Sequence, residues 1–232
     1  MSVIYIISDI HGNIDALKAF FKKAKPKKKN LIYALGDYVG YYYWPKECLD
    51  LLIKKKVICI RGNHDNNYLS AQKNSNLLNL FAKKYGNAYL ELDKKLNKKY
   101  VSYIKNMKNN LSVNFDSCKV KFSHGAPWKN NEYIYPDCKK KILNRFLKYK
   151  EDIFFIGHTH RKMKKKIKNK TIYNPGSIGQ PRDSFSTTNW IEFDTKKLII
   201  KFCKTKYDNK KIIKQIFHKD YQKFEKLVKY IR

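Results

Sequence analysis

Five of the six histidines of this 232-residue chain fall in four short motifs. These are Asp9-Ile10-His11, Gly62-Asn63-His64-Asp65, Ser123-His124-Gly125 and Gly157-His158-Thr159-His160, and each follows an apolar run. Gly36-Asp37 follows another such run and belongs with them, while His218 alone is left over. Imidazole nitrogen, carboxylate oxygen and amide oxygen are the donors that suit divalent transition metals. One motif of this kind carries little weight, since a histidine after a strand is more often hydrogen-bonded structure than a ligand. Five motifs, each where a strand should end, point to one shared metal site. Asp9 and His11 are two apart, as are His158 and His160, a spacing that lets both side chains of each pair face the same way.

The elements that must carry these motifs can be read from the apolar pattern. Residues 3–8 are apolar and β-branched, a buried strand ending at Asp9. Asn13 can cap the helix that follows, in which Ile14, Leu17, Phe20, Phe21 and Ala24 recur at helical spacing before Pro26 ends it. Residues 31–34 read as a second strand, ending at Gly36-Asp37, and Pro45 can open a second helix to about residue 55. Residues 57–60 read as a third strand, ending at the Gly62 motif. This strand–motif–helix rhythm predicts an α/β sheet with its site at the carboxyl ends of the strands. Residues 66–110 break the rhythm: they are polar and helical in character, either leaning over the site or covering one sheet face. Further strands are expected at 111–115, 119–123, 153–156, 163–167, 171–174, 190–193 and 198–203, with a helix near 138–148. The C-terminal helical extension, 208–232, reads as one or two helices over residues 210–231, with Ile213, Ile216, Phe217, Tyr221, Phe224, Val228 and Ile231 on a stripe. No repeat or Pro/Ser-rich linker divides the chain, so one domain over 1–232 is expected.

Composition narrows the partners. The formal net charge of +32 invites a nucleic-acid reading, but five arginines stand against 46 lysines. Phosphate and base recognition favours the rigid arginine fork. Lys, Asn, Ile and Tyr are abundant together, as in an AT-rich coding sequence, so the charge reads chiefly as solvated faces, among them the lysines at 27–29 and 164–166. It would still speed encounter with an anionic substrate. No stretch approaches the roughly 18 apolar residues of a membrane helix, and the short apolar start running into Asp9 does not read as a signal peptide. Five cysteines with no close pair argue against a disulfide framework, and Cys59 reads as a small buried hydrophobe, so the expected location is cytoplasmic.

The motif order Asp-x-His, Gly-Asp, Gly-Asn-His-Asp, His-Gly, Gly-His-Thr-His resembles that of the calcineurin-like metallophosphoesterases, over residues 8–183. The stretch Asn174-Pro175-Gly176-Ser177-Ile178-Gly179-Gln180-Pro181-Arg182 looks like the small bacterial and archaeal phosphodiesterase branch. The resemblance implies an α/β fold built as a four-layer αββα sandwich, two facing mixed sheets with helices outside, and a dinuclear centre at the strand ends. Carried over residue by residue, Asp9, His11, Asp37 and His160 hold one metal and Asp37, Asn63, His124 and His158 the second, with Asp37 bridging. Eight contacts from mixed nitrogen and oxygen donors make two sites, and a carboxylate is the natural bridge between them. Two ions about 3.5–4 Å apart can lower the pKa of a bridging water, aim it at phosphorus and neutralise the phosphoryl oxygens. The expected ions are Mn2+ first, with Fe, Zn, Ni and Mg as alternatives. His64, beside a ligand without being assigned as one, resembles the family's catalytic histidine. The alternative for it is a turn residue bonded to Asp65.

Departures from the family pattern bear on the substrate. Protein Ser/Thr phosphatases of the superfamily carry Gly-Asp-x-Val-Asp-Arg-Gly, where this chain has Gly36-Asp37-Tyr38-Val39-Gly40-Tyr41-Tyr42. The aspartate that orients the catalytic histidine is thus Gly40, and the phosphate-gripping arginine is Tyr41. A phosphoprotein phosphatase is disfavoured, and a phosphate-ester small molecule or nucleotide-like substrate is expected. A non-catalytic, metal-stabilised scaffold on the same fold would tend to lose ligands or the catalytic histidine, and this chain keeps them. The aromatic run at 41–44, Tyr42 included, either stacks on a nucleobase or packs on the next helix. Arg182 is a candidate grip on a substrate phosphate.

With lysine carrying most of the charge, binding to random oligonucleotides should be weak and should fall steeply as salt is raised. Fluorescence anisotropy across a salt series checks this, and a tight, salt-resistant preference for one sequence would contradict it.

Overall fold

The computed structural model describes residues 3–72, 74 and 76–232, so two positions of the 66–110 segment, 73 and 75, and the first two residues of the chain lie outside the described residues. The chain opens as expected with β1 (Val3–Ile7), α1 (Ile14–Ala24), β2 (Ile32–Ala34), α2 (Pro45–Lys54) and β3 (Ile58–Cys59). Asn13 caps α1 by accepting from the Ala16 amide at 3.1 Å. Pro45 stands in the first turn of α2, where a missing N–H costs nothing. Both crossovers return the chain to a parallel neighbour: Ile6 lies opposite Tyr33, and Tyr33 opposite Ile58.

The helical segment is α3 (Asn63–Ala71), α4 (Asn76–Tyr85), a 3-10 turn (Asn87–Glu91), α5 (Leu92–Lys95) and α6 (Lys98–Asn106). The second half supplies β4 (Asn110–Phe115), β5 (Cys118–Ser123), α7 (Lys140–Asn144), β6 (Ile153–Phe155), β7 (Lys162–Ile167), β8 (Lys170–Pro175), β9 (Thr187–Asp194) and β10 (Ile199–Lys206). The strands form two five-stranded mixed sheets, ordered β10-β9-β1-β2-β3 and β4-β5-β6-β8-β7. In the first, β1, β2 and β3 are parallel; in the second, β5, β6 and β8 are.

Strand periodicity builds the layers. Ile4 and Ile6 of β1 point with Tyr33 into the space between the sheets, where Val120, Phe122, Phe155 and Phe193 meet them. The Tyr33 and Phe122 rings stack there at 4.2 Å. The alternate residues Tyr5, Ile7, Ile32 and Ala34 face outward onto Leu17 and Phe20 of α1 and Leu49 and Leu52 of α2. On the far face of the second sheet, Phe154, Ile156 and Ile172 pack under Leu143 and Phe146, from α7 and the 3-10 turn after it. The result is helix, sheet, sheet, helix.

Residues 66–110 pack on the first sheet and also touch His64. Leu92, Leu96, Tyr100 and Ile104 join the outer core of the first sheet. Tyr85 and Tyr89 reach the His64 ring, with centroids 4.5 Å and 5.9 Å away. The C-terminal stretch takes the two-helix form, α8 (Lys210–Lys219) and α9 (Phe224–Val228), joined at a 3-10 turn, Tyr221–Lys223. The turn resets the helical phase. Ile212 and Leu227 are buried beside Ile216, Val228 and Ile231, while Phe217 and Tyr221 are 48% and 70% exposed. All five cysteines are free, and no helix among the described residues is long and apolar enough to cross a membrane.

Phe155 sits in the seam between the sheets, ringed by Phe122, Tyr173 and Phe193 at 5.6–5.7 Å. Phe155→Ala should cost about 3–5 kcal/mol of folding stability, the range for a large buried aromatic truncated in a close-packed core. Urea denaturation of the metal-free protein measures it, and a loss under about 1 kcal/mol would mean that the seam is loosely packed.

Candidate metal centre

Six parallel strands deliver their carboxyl ends to one edge of the sandwich, and the histidine and aspartate motifs are the turns at those ends. The turns are tight. Asp9, His11, Asp37, His158 and His160 all adopt left-handed backbone, with φ from 51° to 67°. Non-glycine residues rarely do so, and such strain concentrates at functional sites, where the surroundings over-determine it. The packing around Asp37 is close enough that a Cβ on Gly62 would stand 2.1 Å from Asp37 Oδ1, so only glycine fits there.

Four of the histidines, His11, His124, His158 and His160, each spend one ring nitrogen on a backbone carbonyl. His11 Nδ1 donates to Val39 O at 3.1 Å, His160 Nδ1 to Gln180 O at 2.8 Å and His124 Nδ1 to Leu35 O at 2.8 Å. His158 is turned the other way, Nε2 donating to Asn131 O at 3.2 Å. A carbonyl only accepts, so these contacts assign the tautomers and leave Nε2 of His11, His124 and His160, and Nδ1 of His158, to face inward. His11 Nε2 and His160 Nε2 then lie 3.1 Å apart with no proton between them, two lone pairs aimed at one region.

The carboxylates are divided in the same way. Asp9 Oδ2 accepts from the His158 amide at 3.1 Å, and Asp37 Oδ1 from the His64 amide at 2.8 Å. Their other oxygens, Asp9 Oδ1 and Asp37 Oδ2, are buried without a hydrogen-bond partner. Asp9 Oδ1 lies 3.4 Å from His160 Nε2 and 3.9 Å from both His11 Nε2 and His124 Nε2. Asp37 Oδ2 lies 3.8 Å from His11 Nε2 and 3.2 Å from His124 Nε2. Asn63 Oδ1 closes on His124 Nε2 at 2.9 Å. Bare oxygens and bare ring nitrogens meeting out of water are a donor set that fits a cation. The groups fall into overlapping clusters, Asp9-His11-His160, His11-Asp37-His64 and Asp37-His124-His158, each with ligand atoms within 4.8 Å of one another.

Electrostatics agree. Burial pushes His11 down to about 4 and His158 down to about 3, so both stay neutral donors. Burial, the positive Arg182 and His11 hold His160 well below the ordinary imidazole range. Burial acts the same way on His124, but the Asp37 and Asp9 carboxylates outweigh it and push this ring up to about 9. Asp9 is pushed up to about 7 by burial and by its neighbour Asp37. A proton on His124 thus balances charge that a divalent cation could balance instead.

Asp65 braces the centre, a role the motif spacing did not reveal. Its Oδ2 accepts from the amides of Asp37 and Gly62, both at 2.8 Å, and its Oδ1 from the Tyr38 amide at 2.9 Å. It ties the turn after β2 to the turn after β3 rather than bonding the His64 ring. The loop after β8 braces Asp9: Ser177 Oγ donates to Asp9 O at 2.7 Å, and the Gly179 amide to the same oxygen at 2.9 Å.

The seven expected ligands and His64 are brought together. Arg182 is there too, near enough to depress His11, His64 and His160, with its Nε buried and without a hydrogen-bond partner. Tyr42 is not. It is fully buried under the C-terminal helices, its hydroxyl donating to Leu227 O at 3.2 Å and accepting from Gln180 Nε2 at 3.1 Å. Tyr43 is buried as well, bonded to Asp220. Of that aromatic run, Tyr41 is the ring in the site, 4.7 Å from His11 and 5.1 Å from His64. The backbone is left-handed at Tyr41, φ 58°, and the neighbouring Tyr42 ring, 6.3 Å away, turns into the C-terminal cluster instead. Tyr133 was also missed: it stacks on His158 at 3.8 Å, and no local pattern marks a tyrosine in an irregular loop. Arg61 is structural, its guanidinium bonded to Lys105 O and Asn109 Oδ1, and His218 is exposed on α8.

Comparison with known proteins agrees with this geometry. The family model for calcineurin-like phosphoesterases matches residues 2–162. An uncharacterized protein of Methanocaldococcus jannaschii is 31% identical over 235 residues, covering 93% of this chain and 92% of its own. A metallophosphoesterase from Sphaerobacter thermophilus superposes with a TM-score of 0.76 at 25% identity, over 93% of each chain. A hypothetical protein from Pyrococcus horikoshii has the same fold, with a TM-score of 0.76 at 21% identity over 99% of this chain and 97% of that one.

Asp65→Ala should be strongly destabilising even without metal, because it orphans three buried amides that each cost about 1–3 kcal/mol unpaired. Urea denaturation in excess chelator isolates this effect, and a loss below about 1 kcal/mol would mean that water replaces the carboxylate.

Proposed function

The chain belongs to the calcineurin-like phosphoesterase family, and from that premise we propose that it is a phosphodiesterase with a dinuclear metal centre, acting on phosphodiester or nucleotide-like phosphates. The observation that carries the reading is the bare oxygen Asp37 Oδ2, 3.8 Å from His11 Nε2 on one side and 3.2 Å from His124 Nε2 on the other. An anionic oxygen between two sets of imidazole lone pairs is suited to bridge two cations. Asp9, His11, Asp37 and His160 would hold one, and Asp37, Asn63, His124 and His158 the other, with Mn2+ the favoured ion. A pair of such ions supplies an activated water and neutralises the phosphoryl oxygens.

The chain's own groups do the rest. His64 stands beside the donor set with its amide on Asp37 Oδ1, and a ring nitrogen would hydrogen-bond the leaving oxygen. Arg182 offers a guanidinium to a non-reacting phosphate oxygen. Tyr133 and Tyr135 are 46% and 36% exposed and nearly coplanar, 6° apart, and they continue the His158 stack outward. Aromatic faces beside a phosphate site favour substrates with a planar base. A tyrosine at position 41 and a glycine at 40, in place of the arginine and aspartate of protein phosphatases, weigh against phosphoproteins.

Reconstituted protein should carry two ions per chain by elemental analysis. Asp37→Asn should weaken both sites and His160→Ala chiefly one, and a single ion at saturation would contradict the dinuclear assignment. His64→Ala should keep its metal and lose about 10²–10⁴-fold in turnover, the span of general acid–base contributions. For the substrate class, kcat/KM is to be compared on an aryl diester, a monoester, a dinucleoside polyphosphate, a cyclic nucleotide and a phosphopeptide with one metal. Diesters or nucleotides should lead. A phosphopeptide far ahead would reverse the ranking, and activity on none of them would favour a scaffold.

A further inference from the structure

His64 is held by three tyrosines, two of them from the helical segment rather than from the histidine motifs. Tyr85 lies 4.5 Å from its ring and Tyr41 5.1 Å, so the imidazole is flanked on two sides. Tyr89, in the 3-10 turn after α4, contributes the polar contact: its hydroxyl is 2.6 Å from His64 Nδ1, and both groups are buried. We propose that Tyr89 is the positioning residue of the centre, setting the tautomer and aim of His64 so that its Nε2–H faces the leaving oxygen of the substrate. The proposal rests on the phosphoesterase reading above and adds to it a residue outside every histidine or aspartate motif.

The direction of the bond follows from counting donors. A phenol has one proton and can also accept. The buried phenol proton needs an acceptor, and His64 Nδ1 at 2.6 Å is the one within hydrogen-bond reach, so the phenol donates and the ring accepts. A ring that accepts at Nδ1 carries its own proton on Nε2, and Nε2 is therefore a donor. The cluster geometry places a ring nitrogen of His64 within 4.8 Å of ligand atoms of His11 and Asp37, close enough to meet a phosphate group bound there.

The alternative is that Tyr89 is a core tyrosine that happened to find a partner. Gly40 argues against it. Its backbone passes the His64 ring at φ +85°, and a Cβ there would lie 2.5 Å from Nδ1 and 3.3 Å from the Tyr89 hydroxyl. Gly40 thus offers no side chain to bond His64 Nδ1, and Tyr41 from the same turn lies against the ring without a hydrogen bond to that nitrogen. The partner must come from elsewhere, and the Tyr89 hydroxyl fills the space that the glycine leaves. Tyr89 is itself fixed by Phe81 at 5.4 Å and Tyr85 at 5.8 Å, so its hydroxyl cannot swing away. The helical segment thereby becomes part of the active site.

Tyr89→Phe keeps the ring and removes only the hydroxyl. The first measurement is ¹⁵N NMR of the imidazoles in metal-free, full-length protein. Wild type should show His64 protonated at Nε2, and the variant should show a mixture of tautomers. The second is kcat and KM with Mn2+ on aryl methyl phosphates, from dinitrophenyl through nitrophenyl to phenyl. A hydrogen bond to the leaving oxygen matters more as the leaving group worsens. The variant should therefore lose up to about 10²-fold in kcat on the phenyl ester, the scale of a misaimed catalytic group, and little on the dinitrophenyl ester, with KM and metal content unchanged. A wild-type ring protonated at Nδ1, a variant spectrum like wild type, or an equal loss across the series would each overturn the proposal. If wild type hydrolysed none of these esters, the phosphodiesterase reading would fall while the NMR result still decided what Tyr89 does to His64.

Discussion

Two buried carboxylates, each with one oxygen left without a partner, are the constraint on which this structure turns. Asp9 Oδ1 and Asp37 Oδ2 sit out of water among imidazole lone pairs, an arrangement that would be costly as a purely structural feature. Part of the cost is met inside the chain. Each carboxylate gives its second oxygen to a backbone amide, and His124 holds a proton against Asp37. The rest is the affinity of the site for a positive ion. The left-handed turns, the close approach of Gly62 to Asp37 and the three amides gathered by Asp65 all serve to hold these oxygens toward the histidine cluster.

The two sheets make this affordable by converging. Ile4, Ile6 and Tyr33 from one sheet and Phe122 and Phe155 from the other form a seam that fixes how the carboxyl ends of β1, β2, β5 and β6 meet. The cross-sheet bonds of the site repeat that register in polar form, with His124 of the second sheet donating to Leu35 of the first, and the His158 amide to Asp9. A ligand set drawn from both sheets is as rigid as the seam beneath it.

The clustered donors were legible as a candidate ligand set because they obey a local rule: a polar donor directly after an apolar run. That rule applies to Asp9, Asp37, Asn63, His124 and His158 alike, and the layer order follows from the same runs. Tyr42 shows where the rule ends. Four aromatic residues in a row look equivalent in sequence, but the Tyr41 ring lies in the site and the next two lie under the C-terminal helices. Tyr89 and Tyr133 were illegible for another reason. They reach the site from an irregular loop and from a helical turn whose own periodicity describes packing, and only the three-dimensional fold brings them to His64 and His158. The stripe expected on the C-terminal stretch holds at Ile213, Ile216, Phe224, Val228 and Ile231 and lapses at Phe217 and Tyr221, which are exposed where α8 gives way to the turn Tyr221–Lys223.

The tyrosines also explain how the site can be crowded without being hostile to an anion. Burial raises the phenols of Tyr41, Tyr89 and Tyr133 above their ordinary range, with Asp37 adding to each, so they remain protonated and neutral. A carboxylate in the place of Tyr89 would orient His64 as well, but it would add a negative charge close to where a phosphate must sit, and in a buried setting that repulsion is poorly screened. A phenol supplies the hydrogen bond without the charge. Arg182 is the cationic side chain that depresses the neighbouring histidines, and with neutral phenols around it the negative charge at the centre stays confined to the buried carboxylates.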